Sequence, residues 1–117
     1  MITVYWLPNC TTCQKAVKYL EKSGAVVSTF RDIKSDSLSR HEVEHLVELV
    51  GGVSELFSRR AIKYRTMKLN ERELATKEMI QLMVEEYTFI TRPVVVSGER
   101  AVAGFTPKSF DRFLEEA

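Results

Sequence analysis

Two cysteines separated by two residues, Cys10 and Cys13, constrain most strongly what this chain can fold into. Residues 2–7, which precede them, are rich in β-branched and aromatic side chains and predict a strand that Pro8 and Asn9 end. In residues 11–22, apolar side chains recur at helical spacing. The motif therefore marks a strand-to-helix junction, where free N–H groups and a partial positive charge favour a thiolate.

The same junction predicts different roles for the two thiols. Cys10 falls at or just before the first helical residue, where its side chain can reach solvent, and Cys13 lies one turn inside the helix. We therefore expect Cys10 to be the nucleophile and Cys13 the resolving thiol. A zinc site is disfavoured because it needs four ligands. A structural disulfide and a pair of inert buried thiols remain as alternatives.

The order of predicted elements defines the fold class. Strand 2–7, helix 11–22 and a second strand over 25–31 form a βαβ unit, so the two strands should be parallel. Helices are expected over 40–50, 53–57 and 71–86, with an interruption near Thr76, and residues 58–70 read as irregular. Pro93 opens a valine-rich strand, a turn at 97–99 leads to a short antiparallel strand over 100–103, and Thr106 caps a last helix.

This order predicts an α/β, thioredoxin-like mixed sheet of about four strands with a helical insertion between strands two and three. The 117 residues are expected to form a single domain, 1–117. A formal net charge of +1 gives no indication of direct nucleic-acid binding, and no apolar run has the length of a membrane span. We expect a cytoplasmic monomer with no bound cofactor. In a reducing compartment such as the cytoplasm, a Cys-x-x-Cys motif is more often redox-active than structural.

Several segments together resemble the arsenate reductase-like family of thioredoxin folds, which includes glutaredoxin-dependent arsenate reductases and Spx-type transcriptional regulators. They are residues 5–14 around the cysteines, residues 60–69 in mid-chain, the run 92–96 that reads Arg-Pro-Val-Val-Val, and the turn at Gly104. The resemblance extends over nearly the whole chain in the same order.

The resemblance implies a role for individual residues. The family's nucleophilic cysteine falls on Cys10, its mid-chain arginine on Arg60, and its arginine before the proline on Arg92, while Pro93 matches the cis proline that faces the cysteine loop. A guanidinium suits a tetrahedral oxyanion, and adjacent cations stabilise a thiolate.

Four residues are expected to position the substrate: Pro93, Asn9 just before Cys10, and Thr11 and Thr12 between the two cysteines. They complete the set of residues to which we assign a role in the site.

Two departures from the arsenate reductases lead us to expect weak or no arsenate reduction. Phe105 stands where those enzymes carry a third arginine shortly before the last helix, although Arg100 lies one strand earlier. A second cysteine at Cys13 is the arrangement of the Spx-like branch. Gly52 stands in about the place of the glycine at which those regulators contact the polymerase, although a helix-ending glycine explains it equally well.

Two other patterns have a simpler structural explanation. His41 and His45 match the His-Glu-x-x-His signature of zinc proteases, but helical spacing turns both away from the apolar face, toward water. Residues 59–68, called the basic segment from here on, form either an anion site with Cys10 through Arg60 or a docking surface for an acidic partner. Alternation of its cations with Ile62, Tyr64 and Met67 indicates that part of the segment packs inward. Met67, Met79 and Met83 are expected to fill the core.

The function we expect from these residues is thiol–disulfide oxidoreduction, with thioredoxin or glutathione and glutaredoxin restoring the dithiol. The alternatives are an Spx-type redox-sensing regulator that binds the α subunit of RNA polymerase, and a genuine arsenate reductase.

Overall fold

The computed structural model describes residues 1–116 and divides the chain into two compact units. The sheet unit comprises Met1–Asp36 together with Arg92 and the residues that follow it, and the helical unit comprises Ser37–Thr91. The elements in chain order are β1 (Ile2–Trp6), α1 (Thr11–Lys22), β2 (Val27–Asp32), α2 (Arg40–Val50), α3 (Val53–Leu56), α4 (Ile62–Thr66), α5 (Thr76–Glu85), β3 (Val94–Ser97), β4 (Arg100–Ala103) and α6 (Pro107–Glu115). The single domain that chain length predicts stays a prediction.

The sheet has the strand order β2-β1-β3-β4, with β1 and β2 parallel and the other two pairs antiparallel. The α1 crossover makes the first pair parallel, and the two-residue turn Gly98-Glu99, with a positive φ of 62° at Gly98, joins β3 to β4. The predicted thioredoxin-like mixed sheet with a helical insertion is therefore confirmed.

The core of the sheet unit lies between the sheet and helices α1 and α6. Its buried side chains are Val4, Ala16, Leu20, Val95, Phe110 and Phe113. Thr106 fixes the start of α6, since its Oγ1 accepts a hydrogen bond from the Ser109 N–H at 3.1 Å, and Pro107 occupies the first helical position as predicted.

The helical unit has its own core, built around stacked aromatic rings. Phe57 and Phe89 lie nearly parallel with centroids 5.4 Å apart, and Tyr64 meets Phe57 edge-on at 6.2 Å. Ser39 caps α2 reciprocally with Glu42, and Gly51 ends it in the left-handed conformation at φ 94°. Within residues 1–116, no helix has both the length and the apolar character needed to cross a membrane.

Two sequence-based boundaries in the helical unit were wrong. Residues 58–70 were expected to be irregular but are partly helical, since they contain the single turn α4. Two contacts hold this turn: Lys63 pairs with Glu86 at 2.7 Å, and Tyr64 packs inward. Helix α5 begins at Thr76 and not at the predicted residue 71. The preceding residue Ala75 is the cap position, and its N–H donates to the Glu78 carboxylate at 3.4 Å.

Tyr64 turns inward, so part of the basic segment packs as predicted, but the predicted core position of Met67 was wrong. Ile62 is 80% exposed and Met67 49% exposed, although Met79 and Met83 are buried as expected. In the second strand, Phe30 is 46% exposed because β2 lies at the edge of the sheet, where its ring contacts Trp6 with centroids 4.8 Å apart. Tyr87 follows α5 in a separate 3₁₀ turn.

Candidate thiol site

The cysteine motif is held by a tight turn between β1 and α1. The Cys10 N–H donates to the Leu7 carbonyl at 3.0 Å, which closes a turn with Pro8 and Asn9 at its two central positions. The side chain of Gln14 reaches back from α1 and donates from Nε2 to the Pro8 carbonyl at 2.8 Å. These two bonds fix Cys10 as the residue that caps α1, as the spacing predicted.

The two thiols differ in access to solvent. Cys10 is half-buried, whereas Cys13, in the first turn of α1, has no exposed surface and packs into the sheet unit. Both cysteines are in the thiol form in this structure. A bulky oxidised molecule can therefore reach Cys10 but cannot reach Cys13 directly.

Several groups act on the Cys10 thiol. Partial burial raises its pKa, but hydrogen bonding from the backbone N–H and the thiol of Cys13, the charge of Arg92 and the backbone N–H of Thr12 together outweigh burial, so the pKa lies below its ordinary value. The neutral Cys10 side chain makes no capping hydrogen bond at the start of α1. We expect the backbone N–H groups to move closer to the sulfur when it is a thiolate, because charge-assisted hydrogen bonds are shorter.

The Cys13 thiol experiences the opposite balance. Burial and, after it, the neighbouring Cys10 sulfur raise its pKa to about 12, although a hydrogen bond with the Leu7 backbone and the Arg92 charge offset part of the rise. Because the thiolate is the reactive form, at neutral pH the structure activates Cys10 and keeps Cys13 protonated.

Arg92 and Pro93 precede β3 in the sheet unit. The Arg92–Pro93 peptide bond is cis, as the family resemblance implied, and Pro93 is buried. The Pro93 carbonyl accepts a hydrogen bond from the Gly104 N–H at 2.8 Å, which joins the start of β3 to the turn after β4. Arg92 is half-buried, and its charge lowers the pKa of both thiols, so it acts on the cysteine motif directly.

The remaining predicted site residues lie at the surface. Asn9, Thr11 and Thr12 are exposed, and only Thr12 acts on the Cys10 sulfur, through its backbone N–H. Arg60 belongs to the helical unit, where its side chain is exposed and its N–H donates to the Ser58 hydroxyl at 3.3 Å. Substrate contact by any of these four residues stays a prediction.

The structure gives Phe105 and Arg100 roles that the sequence pattern did not reveal. The Phe105 ring packs against Tyr19 of α1 and Phe110 of α6, with centroid distances of 5.6 and 4.8 Å. Arg100 donates to the Phe113 carbonyl at 2.6 Å, and its guanidinium lies 4.6 Å from the centroid of the Phe113 ring. Arg100 therefore holds the end of α6, where a cation also complements the helix dipole.

Possible metal ligands are dispersed. His41 and His45 both lie on the exposed side of α2, as helical spacing predicted. Over the described residues 1–116, no group of three or more histidines, cysteines and carboxylates is close enough to hold a metal ion.

Comparison with known proteins identifies the family that this fold and thiol site indicate. Residues 5–113 match the ArsC family, so the chain belongs to that family. The uncharacterized protein YusI of Bacillus subtilis (strain 168) is 31% identical over 94% of this chain and 95% of its own length. The global transcriptional regulator Spx of Streptococcus pneumoniae is 27% identical over 97% of this chain and 86% of its own length.

Solved structures show the same fold. An ArsC family related protein from Bacteroides fragilis superposes with a TM-score of 0.84 at 26% identity, covering 95% of each chain. An arsenate reductase from Vibrio cholerae superposes with a TM-score of 0.83 at 22% identity, over 95% of each chain, which supports the fold alone.

Proposed function

We propose that this ArsC family member is a thiol–disulfide oxidoreductase in which Cys10 is the nucleophile and Cys13 the resolving thiol. The observation that carries the proposal is the asymmetry of the two thiols. Cys10 is accessible and its pKa is lowered, whereas Cys13 is fully buried and its pKa is raised to about 12. A redox motif needs this combination, because the attacking thiol must be ionised and the resolving thiol protected.

The proposed reaction transfers two electrons from the cysteine pair to the substrate disulfide. The Cys10 thiolate attacks one sulfur of a substrate disulfide, a mixed disulfide forms, and the other substrate sulfur leaves as a thiolate. The Cys13 thiol then loses its proton and attacks the Cys10 sulfur, which closes the Cys10–Cys13 disulfide and releases the second substrate thiolate. The substrate gains two electrons and the cysteine pair loses two.

The predicted site residues are proposed to support this chemistry in different ways. Arg92 stabilises the Cys10 thiolate, and Pro93, Asn9, Thr11 and Thr12 are proposed to position the substrate around it. Arg60 is proposed to hold an anionic group of the substrate. Thioredoxin, or glutathione with glutaredoxin, would return the Cys10–Cys13 disulfide to the dithiol, and the compartment we propose is the cytoplasm.

Alkylation at neutral pH followed by peptide mapping tests the assignment of roles. Cys10 should be labelled before Cys13, because only Cys10 combines access with a lowered pKa. Mild peroxide should remove two hydrogens from the unmodified chain but not from the Cys13→Ala variant. Labelling in the reverse order, or a sulfenic acid that persists in the unmodified chain, would overturn the assignment.

A second candidate function is a redox-sensing regulator of Spx type that binds the α subunit of RNA polymerase, with the Cys10–Cys13 disulfide as a switch. The similarity to Spx over 97% of this chain favours it. Gly52 does not decide between the candidates, because its φ of 144° is itself a reason for glycine.

Co-purification and turnover separate the two functions. A regulator should co-purify with the polymerase α subunit in a manner that depends on the redox state of Cys10. An oxidoreductase should make NADPH consumption faster than thioredoxin and thioredoxin reductase alone achieve with a small disulfide, and Cys10→Ser should abolish this excess.

A further inference from the structure

The basic segment is rich in positively charged residues and contains no acidic ones. It holds five of the seventeen lysines and arginines, namely Arg59, Arg60, Lys63, Arg65 and Lys68, and none of the sixteen acidic residues. The rest of the chain is therefore net negative. The segment forms a local positive surface on a protein whose overall net charge is only +1.

Among the residues that the structure describes, one of these five cations has a carboxylate partner. Lys63 pairs with Glu86 at 2.7 Å, which fixes α4 against the end of α5 and lowers the pKa of Glu86. Arg59 lies over the Phe57 ring at 5.7 Å. In the part of the chain that the structure describes, no ion pair involves Arg65 or Lys68, whose charges face solvent.

Two large apolar side chains are exposed among these cations. Ile62 is 80% exposed and Met67 is 49% exposed, so neither side chain belongs to the core of the helical unit. Tyr64, by contrast, turns inward onto Phe57. Because residues three and four apart share a helix face, Ile62 lies on the same side of α4 as Arg65.

We propose that Arg65, Lys68, Ile62 and Met67 form a docking surface for an acidic segment of another protein that carries apolar side chains among its carboxylates. The carboxylates would pair with Arg65 and Lys68, and the apolar side chains would cover Ile62 and Met67. This surface goes beyond the proposed thiol chemistry and does not depend on it.

The exposed residues favour a protein partner over a nucleic acid. Phosphates would neutralise the cations but would gain little from Ile62 and Met67, since single-stranded nucleic acids bind by stacking bases on aromatic rings. The only ring of the basic segment, Tyr64, packs against Phe57. Carboxylates alternating with leucines fit both kinds of exposed side chain.

The test uses the full chain and a synthetic helical peptide with leucines along one face and glutamates beside them. The comparison ligands are the same peptide with serine in place of leucine, and a single-stranded oligodeoxynucleotide of equal charge. We expect the leucine peptide to bind on the order of tenfold more tightly than the serine peptide, and both to weaken as salt rises.

Three double variants assign the binding to this surface. Arg65→Glu with Lys68→Glu should weaken binding of both peptides by roughly tenfold or more, because charges of the wrong sign now face the glutamates. Ile62→Ser with Met67→Ser should remove the difference between the two peptides. Lys108→Glu with Arg112→Glu makes the same charge change at exposed positions of α6 and should leave binding unchanged.

Circular dichroism confirms that each variant retains its helices before binding is measured. The proposal is overturned if the leucine peptide does not bind, if the Arg65 and Lys68 variant binds it as well as the unmodified chain, or if the oligodeoxynucleotide binds as tightly as the peptide. Self-association of the chain that disappears in the same variant would also overturn it, because a second copy would then be the occupant.

Discussion

The sheet unit and the basic segment of the helical unit use their arginines differently. In the sheet unit, Arg100 is fixed on the Phe113 carbonyl and ring, Arg31 pairs with Asp36 at 3.0 Å, and Arg92 acts on the two thiols. In the basic segment, Arg65 and Arg60 extend from the surface without a carboxylate partner among the described residues. Elsewhere in the helical unit, Arg40 pairs with Glu44 at 3.7 Å and Arg72 with Glu78 at 2.8 Å.

This difference separates two uses of positive charge. A guanidinium held against a helix end, a ring or a thiol stabilises the fold or tunes a reactive group, and it is then unavailable to a partner. A guanidinium left in water adds little to stability but steers and binds acidic molecules. We therefore expect substitutions in the sheet unit to alter chemistry and stability, and substitutions in the basic segment to alter binding.

The largest effect should come from the aromatic core of each unit. Phe110→Ala in the sheet unit and Phe89→Ala in the helical unit should each lower the free energy of unfolding by about 3–5 kcal/mol, because both side chains are fully buried and their removal leaves a cavity. Denaturant titration measures both. Phe30→Ala is the control on the exposed edge strand, and an equal loss there would contradict the assignment of the cores.

Arsenate turnover should be weak, because the family resemblance implies that Phe105 stands where arsenate reductases carry an anion-binding arginine. Loss of one charge-assisted contact costs about 2–4 kcal/mol of transition-state stabilisation, which corresponds to roughly a thirtyfold to thousandfold lower rate. NADPH consumption measures it, with arsenate titrated and glutaredoxin or thioredoxin supplied separately. Saturable turnover of about one per second or more, abolished by Cys10→Ser, would refute this expectation.

The packing of Phe105 decides what the complementary variant should do. Phe105→Arg should not restore arsenate turnover, because the ring it removes packs between Tyr19 and Phe110, and the new guanidinium must leave that apolar contact. It should also lower the free energy of unfolding. A gain in arsenate turnover would show that the turn can face the cysteine motif.

Arg92 should set the pH at which Cys10 becomes reactive. Because its charge lowers the pKa of Cys10, Arg92→Gln should raise that pKa, leave less thiolate at neutral pH and slow alkylation there. The rate of alkylation as a function of pH measures the shift. Arg92→Lys should keep most of the effect and Arg112→Gln, an equal charge change on α6, should have none. An unchanged profile in Arg92→Gln argues against the role.

Local sequence signals predicted the sheet unit well. Helix α1 occupies residues 11–22 as expected, because residues close in the chain set both of its limits. The turn at Pro8 precedes its start, and Gly24, with φ 86°, follows its end. The difference in exposure between Cys10 and Cys13 could be predicted for the same reason, since one turn of helix separates an accessible position from a buried one.

Packing between distant residues was not predictable from such signals. Part of the basic segment was expected to pack inward, yet Ile62 is exposed, because Lys63 and Tyr64 fix the orientation of α4 through partners elsewhere in the helical unit. Arg100 finds its acceptor thirteen residues away, at Phe113, and no sequence pattern marks that pair.

The smallest expected change in the free energy of unfolding comes from removing one helix cap in each unit. Ser39→Ala removes the acceptor of the Glu42 N–H, and Thr106→Ala removes the acceptor of the Ser109 N–H, so each should cost about 1 kcal/mol. Amide hydrogen exchange resolves the two helices separately. The Glu42 amide should exchange faster in the first variant and the Ser109 amide in the second, because each has lost its side-chain acceptor. Ser39→Asp and Thr106→Ser keep an acceptor at the cap and should restore most of the protection. If exchange at Glu42 stays slow in Ser39→Ala, the cap is not what holds the start of α2, and packing of Val43 and Leu46 in the helical core must fix it instead.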